Sequence, residues 1–529
     1  MNSSAHSVGL SQPVAVGTDV AVDGHAPRVL WAIVALGAAL RLIALGGKSF
    51  WLDEIASVVI SRMPGNSFWG WLWHDEGNMA LYYLMLRLWL QIHLGEATVR
   101  LLSVLPGVAS VPVMYLLGAR LFGRSVGVVA ALFFALSTCS VVYSQEARGY
   151  SWLLLGVIAS TYMFVRLIKR PTYAMACGYA LTAGVAFYFH FFGLLVPLAQ
   201  AVSLLALPKE RRPWKKLLAA GTMIGALAAP VLWMIHIQPI RHLDWVQKPS
   251  LLELYHLGVF LAAESGKGVG PALLVLELVL VGVFLRAMMR ARSLPGLKPL
   301  GSNAGSDAAL KGSSFTVVTG SESRELRESA RPEVAFWNYA LVASCLFTPV
   351  FFTLLASVVL PVFHHRFLII CLPAWLLAAA VGASAIQKPR MRITAVASVC
   401  MLSLVSTVIS YTRVREDWRG VANYLIDHAA AQDRVVYYEG VGNFAAESYR
   451  DWLPGGRSSR PTAVEVNPPS NAWQEKIAGA GRVWLVRYPA NQSDDTARAV
   501  EAELQSRYTA ADTRRFRAVT VTEYVKKSN

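Results

Sequence analysis

Apolar stretches of roughly bilayer length recur along the first four hundred residues, separated by short polar loops. The first runs from Val29 to Gly47. Others follow at roughly 99–119, 126–143, 151–168, 172–189, 191–207, 217–235, 270–287, 335–360, 367–386 and 393–411. Each can cross a hydrocarbon core about 30 Å thick as a helix. Residues 79–94 are apolar but short and contain Arg87 and His93, so they read as a helix on the membrane surface. No Arg or Lys precedes Arg28, a poor n-region for a cleaved signal, and the first run reads as a retained helix.

The basic loops fix sidedness. With 79–94 left outside the count, Arg120 and Arg124, Lys169–Arg170, the cluster from Lys209 to Lys216, the stretch Arg286 to Arg292, and Lys388, Arg390 and Arg392 all fall on one side. Cytoplasmic loops collect Lys and Arg. The expected architecture is an α-helical polytopic membrane protein of about eleven transmembrane helices plus outer-face juxtamembrane helices, with a small C-terminal α/β domain. Residues 1–28 form a cytoplasmic tail and 29–411 the transmembrane domain. Within the latter lie a first outer loop (48–98), a second (236–269) and a Gly/Ser-rich cytoplasmic linker (291–334). Residues 412–529 form the outer domain, with helical spacing at Trp418 to Ala431 and Asp495 to Arg507. Strands are expected at Arg434 to Tyr438, Arg482 to Arg487 and Phe516 to Val525. The expected location is the plasma (inner) membrane.

Composition agrees with this pattern. The 529 residues include 55% hydrophobic and 16% charged, and mean hydropathy is +0.43. Soluble domains carry about a quarter charged residues. The net charge is +16, yet residues 412–529 hold 17 basic and 15 acidic residues. The excess therefore belongs to the membrane part, and a nucleic-acid partner is not expected. The five cysteines all fall in apolar stretches and read as small buried hydrophobes.

A few polar residues stand out at the outer ends of the spans. Asp53 and Glu54 follow Phe50-Trp51-Leu52. A carboxylate held near the bilayer can accept a proton from an acceptor hydroxyl; the same pair also suits the first turn of a solvated helix. Tyr143-Ser144-Gln145-Glu146-Ala147-Arg148 lies on the same side, where Glu146 and Arg148 either pair with each other or face a metal or phosphate. His74, Asp75 and Glu76 precede the surface helix. His190 sits among aromatics, and His364-His365-Arg366 occupies another outer end, where an arginine either snorkels or clamps a lipid phosphate. Arg241, His242, Asp244 and His256 lie in the second outer loop. No Walker or Rossmann glycine pattern appears in a convincing place, so no nucleotide cofactor is expected.

In order, these segments are aromatic-Leu-Asp-Glu, Leu81-Tyr82-Tyr83-Leu84, Arg100-Leu101-Leu102-Ser103, the Leu116 to Gly123 segment, Tyr143 to Arg148, His190 to Leu194, and Arg415-Glu416-Asp417-Trp418-Arg419-Gly420. The series resembles the GT-C membrane glycosyltransferases, specifically bacterial relatives of dolichyl-phosphate-mannose protein mannosyltransferases and of the lipid A aminoarabinose transferase. The resemblance implies inverting transfer of a monosaccharide from a polyprenyl-phosphate donor to a hydroxyl of a protein, glycan or lipid acceptor on the outer face. It implies catalytic roles for Asp53 and Glu54 and donor-phosphate contacts from Arg148, His365 and Arg366. A divalent metal ion at Glu146 and Glu76 is a candidate cofactor, and Tyr82, Tyr83, His190 and Arg241 are candidate substrate contacts. Many relatives carry prolines before the Leu-Tyr-Tyr segment; Glu76-Gly77-Asn78-Met79-Ala80 lacks them, which weakens the expected metal site. A glycolipid transporter or flippase is the alternative, although the polar groups cluster at span ends rather than at mid-span.

Overall fold

A computed structural model describes residues 26–92, 95–238, 246, 248–293, 332–413, 415–438, 440–453, 460–466, 472–488 and 495–527. All eleven apolar stretches are helical. Seven helices are long and apolar enough to cross a membrane, and an eighth span results if Arg124–Leu136 and Thr138–Ser144, bent by 55° at Ser137, count as one. The first helix, α1 (Ala26–Leu42), and the helix Tyr173–Phe189 are each 17 residues long. Residues 191–206 combine a 3-10 turn with a nine-residue α-helix.

Burial sorts the spans. The segment Phe367–Ser384 is the central one, with 89% of its window inside the protein. Trp214–Ile237 instead turns Leu218, Leu232 and Trp233 outward. Apolar side chains pointing away from the protein are what a lipid solvent permits.

The outer part of the membrane domain holds three short helices, α2 (Leu52–Arg62), α3 (Gly65–His74) and α4 (Ala80–Trp89). Within 79–94 a helix does form, shorter than expected, at Ala80–Trp89. It packs inward, burying Ala80, Tyr82, Tyr83 and Leu86. A further helix, Leu251–Ala263, occupies the loop expected at 236–269. Arg241, His242 and Asp244 lie outside the described residues, as does most of the expected linker.

The C-terminal domain is a five-stranded sheet with helices. The strands are β1 (Arg434–Tyr438), β2 (Thr462–Val466), β3 (Arg482–Arg487), β4 (Tyr508–Phe516) and β5 (Val519–Lys526), in the spatial order β2-β1-β3-β5-β4. β1 pairs in parallel with β2 and β3, in register Val436↔Val464 and Val436↔Leu485. β5 runs antiparallel to β3 and closes a hairpin with β4. The predicted helices appear as Trp418–His428 and Asp495–Arg507. The helix Gly440–Trp452 and strands β2 and β4 were not expected. β4 is largely exposed, so it lacks the buried apolar run that marks a strand in sequence.

Candidate active site

Trp51 is extended, and helix α2 starts at Leu52, with Asp53 and Glu54 in its first turn. Acids are favoured there by the helix dipole. One helical step of about 100° then separates two adjacent carboxylates into different environments. Glu54 turns inward and is fully buried. Arg100 grips it with two bonds, Nε to Oε1 at 2.8 Å and Nη2 to Oε2 at 2.7 Å. The Ala147 and Trp51 amides also donate to Glu54, at 2.8 and 3.2 Å. Arg100 spends its remaining donors on the carbonyls of Leu45, Lys48 and Ser49. Glu54 is therefore saturated by protein donors. The geometry does not offer it to a substrate, contrary to the catalytic role expected from sequence.

Asp53 points the other way. Its side chain is 35% exposed, and Oδ2 lies 4.0 Å from Nη1 of Arg366. That is an ion pair without a hydrogen bond. Among the described residues no donor bonds the Asp53 carboxylate, which leaves it open to an incoming hydroxyl.

The second loop, residues 145–149, is held against this turn. Ala147 donates to Glu54, as above, and Gln145 Nε2 donates to the carbonyls of Leu40, Arg41 and Ile43. Glu146 is buried and pairs with Arg415 at 2.9 Å, while its other oxygen has no partner. Burial raises its carboxyl above the ordinary value, against the lowering pull of Arg415 and Arg366. Arg148 reaches the Asp53 carbonyl, the Ser57 hydroxyl and the Tyr83 hydroxyl at 3.4–3.5 Å, with its Nε unpartnered. It supports the backbone of the turn.

Trp51 organises the cations. The guanidinium carbons of Arg415 and Arg366 lie 4.3 and 5.1 Å from its ring centroid. Such contacts hold a cation without neutralising it. Beside Trp51 opens a cavity of about 630 Å³ whose lining includes Lys48, Glu54, Arg100, Glu146, Phe260, Glu264, His365, Arg413 and Arg415; Asp53 and Arg366 lie outside this lining. Glu264 pairs with Arg413 at 3.1 Å and Arg415 at 3.6 Å. It occupies the left-handed region, at φ +63°, a strain that persists only where surrounding contacts enforce it. Among the described residues three buried nitrogens at this cavity have no partner: the donors Arg415 Nη1 and Arg413 Nη2, and His365 Nδ1. Burial, with the nearby Arg366 charge, lowers His365 to about 4. Burial and the charges of Arg100 and Arg415 also lower Lys48.

The remaining expected contacts lie elsewhere. Tyr82 is buried with its hydroxyl on Ser103 at 3.2 Å, and Tyr83 is buried under Arg148. His190 is buried; its Nε2 meets Asn78 at 3.3 Å and its Nδ1 accepts from the Phe192 amide at 3.2 Å. These three are inner supports rather than cavity walls. Arg241 lies outside the described residues. For a metal, Glu146 and Glu76 would have to converge. Glu146 instead interacts with Arg415, Arg366, Glu54 and Glu264, whereas the charge of Glu76 acts on Tyr83 and Arg148. Among the described residues no group of three His, Cys, Asp or Glu is placed to hold a metal. Glu54, Glu146 and Glu264 each face an arginine.

Four contributors were missed: Arg100, Lys48, Glu264 and Arg415. A charge at the first turn of a span, as at Arg100, is a usable signal in sequence. Glu264 sits in a loop with no distinguishing pattern. Arg415 was visible in its motif but is brought to Trp51 only by the fold.

The helical body and the C-terminal α/β domain together have a fold already known from solved structures, in agreement with the expected fold class. The crystal structure of ArnT from Cupriavidus metallidurans in the apo state matches with a TM-score of 0.58 at 12% identity, covering 94% of this chain and 98% of that one. The same protein bound to undecaprenyl phosphate matches at 0.56 and 12%, covering 93% and 97%. Residues 78–236 match the family model for dolichyl-phosphate-mannose-protein mannosyltransferase. No curated protein matches the chain in sequence.

Proposed function

We propose that the chain transfers a monosaccharide from a polyprenyl-phosphate donor to an acceptor hydroxyl at the outer face of the membrane, with inversion. The observation that carries this reading is the contrast between Asp53, open and 4.0 Å from Arg366, and Glu54, saturated by Arg100. Adjacent carboxylates placed in opposite environments are a recurring way to free one for proton transfer.

The donor's phosphate sits against Arg366 and Arg415, which share the Trp51 ring, beside the cavity lined by Arg415, Arg413 and His365. Asp53 takes the proton of the acceptor hydroxyl as that oxygen bonds to the anomeric carbon. The carbon–oxygen bond to phosphate breaks on the opposite side. Polyprenyl phosphate leaves with the bonding pair, and its growing charge is met by guanidiniums already in place. Trp51 and Phe260 supply apolar wall. The step is written without a metal, since among the described residues no group of three His, Cys, Asp or Glu is placed to hold one. The basic loops favour an outer-facing C-terminal domain, the bacterial character of the resembled family favours the plasma membrane, and the fold shared with a protein crystallised with undecaprenyl phosphate supports the donor class.

The experiment is to reconstitute the chain in vesicles with a panel of polyprenyl-phosphate monosaccharides, with and without a chelator. Sugar-dependent release of polyprenyl phosphate, unchanged by chelator, is the expected result. Movement of the intact glycolipid across the bilayer without its cleavage would establish a flippase instead.

A further inference from the structure

Four residues just before Asp53, namely Gly47, Ser49, Phe50 and Leu52, are hydrogen-bonded to the C-terminal domain. The Leu52 amide, the first of helix α2, donates to Oε2 of Glu416 at 3.0 Å. The Phe50 amide donates to the Tyr449 hydroxyl. The Arg419 amide donates to the Ser49 hydroxyl at 3.2 Å, and its Nη2 to the Gly47 carbonyl at 3.2 Å. Arg419 and Tyr449 both reach Glu96, at 3.0 and 3.2 Å, tying the start of the next span to the same contact.

Glu416 is the centre of this seam. It is 5% exposed. Trp418 Nε1 donates to Oε2 at 2.6 Å, and the Tyr488 hydroxyl, just beyond β3, donates to Oε1 at 2.8 Å. The residue also bridges to Arg517, between β4 and β5. Its neighbour Arg415 lies over Trp51. A carboxylate oriented by two domain side chains thus caps the helix whose next residue is Asp53. The unsatisfied amides of a helix's first turn need such acceptors.

We propose that Glu416 is a positioning residue and that the outer α/β domain, through Glu416 and Tyr449, sets the placement of the Trp51–Asp53 turn. The catalytic consequence rests on the function proposed above; the structural coupling does not. A displacement of about 1 Å in a reacting group can cost on the order of a hundredfold in rate. Loss of the cap should lower turnover without a matching change in donor KM. Glu416→Gln should rescue, because its carbonyl can accept from Leu52 and Trp418 while its amide donates to the Tyr488 oxygen.

The test uses the full chain in lipid nanodiscs, comparing wild type, Glu416→Ala, Glu416→Gln and Tyr449→Phe. Amide exchange over residues 49–57 should accelerate by about tenfold or more in Glu416→Ala and Tyr449→Phe, and stay near wild type in Glu416→Gln. kcat should fall in the first two at unchanged KM. If Glu416→Ala does not fold, Tyr449→Phe, a single hydroxyl deletion, decides. Unchanged exchange and unchanged kcat in the folded variants would overturn the proposal. If wild type transfers no sugar from any donor, the functional reading fails, while the exchange data still judge the coupling.

Discussion

Glu54 and Asp53 differ by one position and predict opposite phenotypes. Removing Glu54 strands the buried Arg100 charge. Breaking such a buried pair costs about 3–5 kcal/mol, so Glu54→Ala should give a large drop in thermal midpoint or in folded yield, read by size-exclusion and melting profiles. Asp53→Asn should fold and melt as wild type. The residue scale also sets a pH dependence. His364 and His365 sit outside the spans, and burial, reinforced by Arg366, lowers them to about 3 and about 4 from an ordinary 6.5. Both are therefore neutral in the folded state. Their contribution to stability is complete above pH 6.5 and is lost as pH falls toward 4, because the unfolded chain binds protons that the folded one refuses. The wild-type melting midpoint should fall across that window, and less steeply in the double variant His364→Asn/His365→Asn. Equal slopes would contradict the assignment. Sequence showed which residues were unusual at this scale, but not which of Asp53 and Glu54 was free. That choice depends on Arg100, forty-six residues away, folding onto one of them.

At the scale of elements, the bent span matters most. Its break at Ser137 leaves carbonyls without helical partners. Arg41, wholly buried on α1, donates to the carbonyls of Ala135 and Gly37 and to the hydroxyls of Ser140 and Ser144. This knot fixes the helix that ends one residue before Gln145 and Glu146. Helix Glu96–Phe122 can approach it only because Gly107 has no side chain: a Cβ there would lie 2.1 Å from the Ser144 hydroxyl oxygen. Gly107→Ala should destabilise by about 1–3 kcal/mol, as overpacking does. It should also weaken donor binding by moving Glu146 relative to Arg415, measured by thermal shift with added polyprenyl phosphate. Hydropathy located this span as 126–143 but could not show the bend: Ser137, Thr138 and Ser140 sit at it, yet hydroxyl side chains also occur in unbroken membrane helices. The inward packing of Ala80–Trp89 was hidden for a similar reason: a short apolar helix suits a membrane surface and a protein interior alike.

Across the whole molecule, the positive excess on one set of loops orients everything else. Cysteines introduced at the exposed Glu210 and Asp512 should label from opposite sides, Asp512→Cys from outside intact cells and Glu210→Cys only after permeabilisation. The native cysteines are buried or half-buried, so background labelling should be low. Labelling of both positions from one side would contradict the topology. The span pattern and the outer domain were legible because lipid and water impose different periodicities on the chain. The seam between domain and membrane body was not. Glu416 stood in a visible motif and Tyr449 did not, but both meet their partners, Leu52 and Phe50, only across more than three hundred and sixty positions in the chain.

The central claim is that Asp53 accepts the acceptor's proton beside a phosphate held by Arg366 and Arg415. The direct measurement is single-turnover transfer by purified wild type and Asp53→Asn, using the donor that wild type consumes and with melting profiles recorded alongside. A loss of about 10²–10⁴-fold in the transfer step, with an unchanged melting midpoint, is the predicted result. Transfer by folded Asp53→Asn at the wild-type rate would contradict the account.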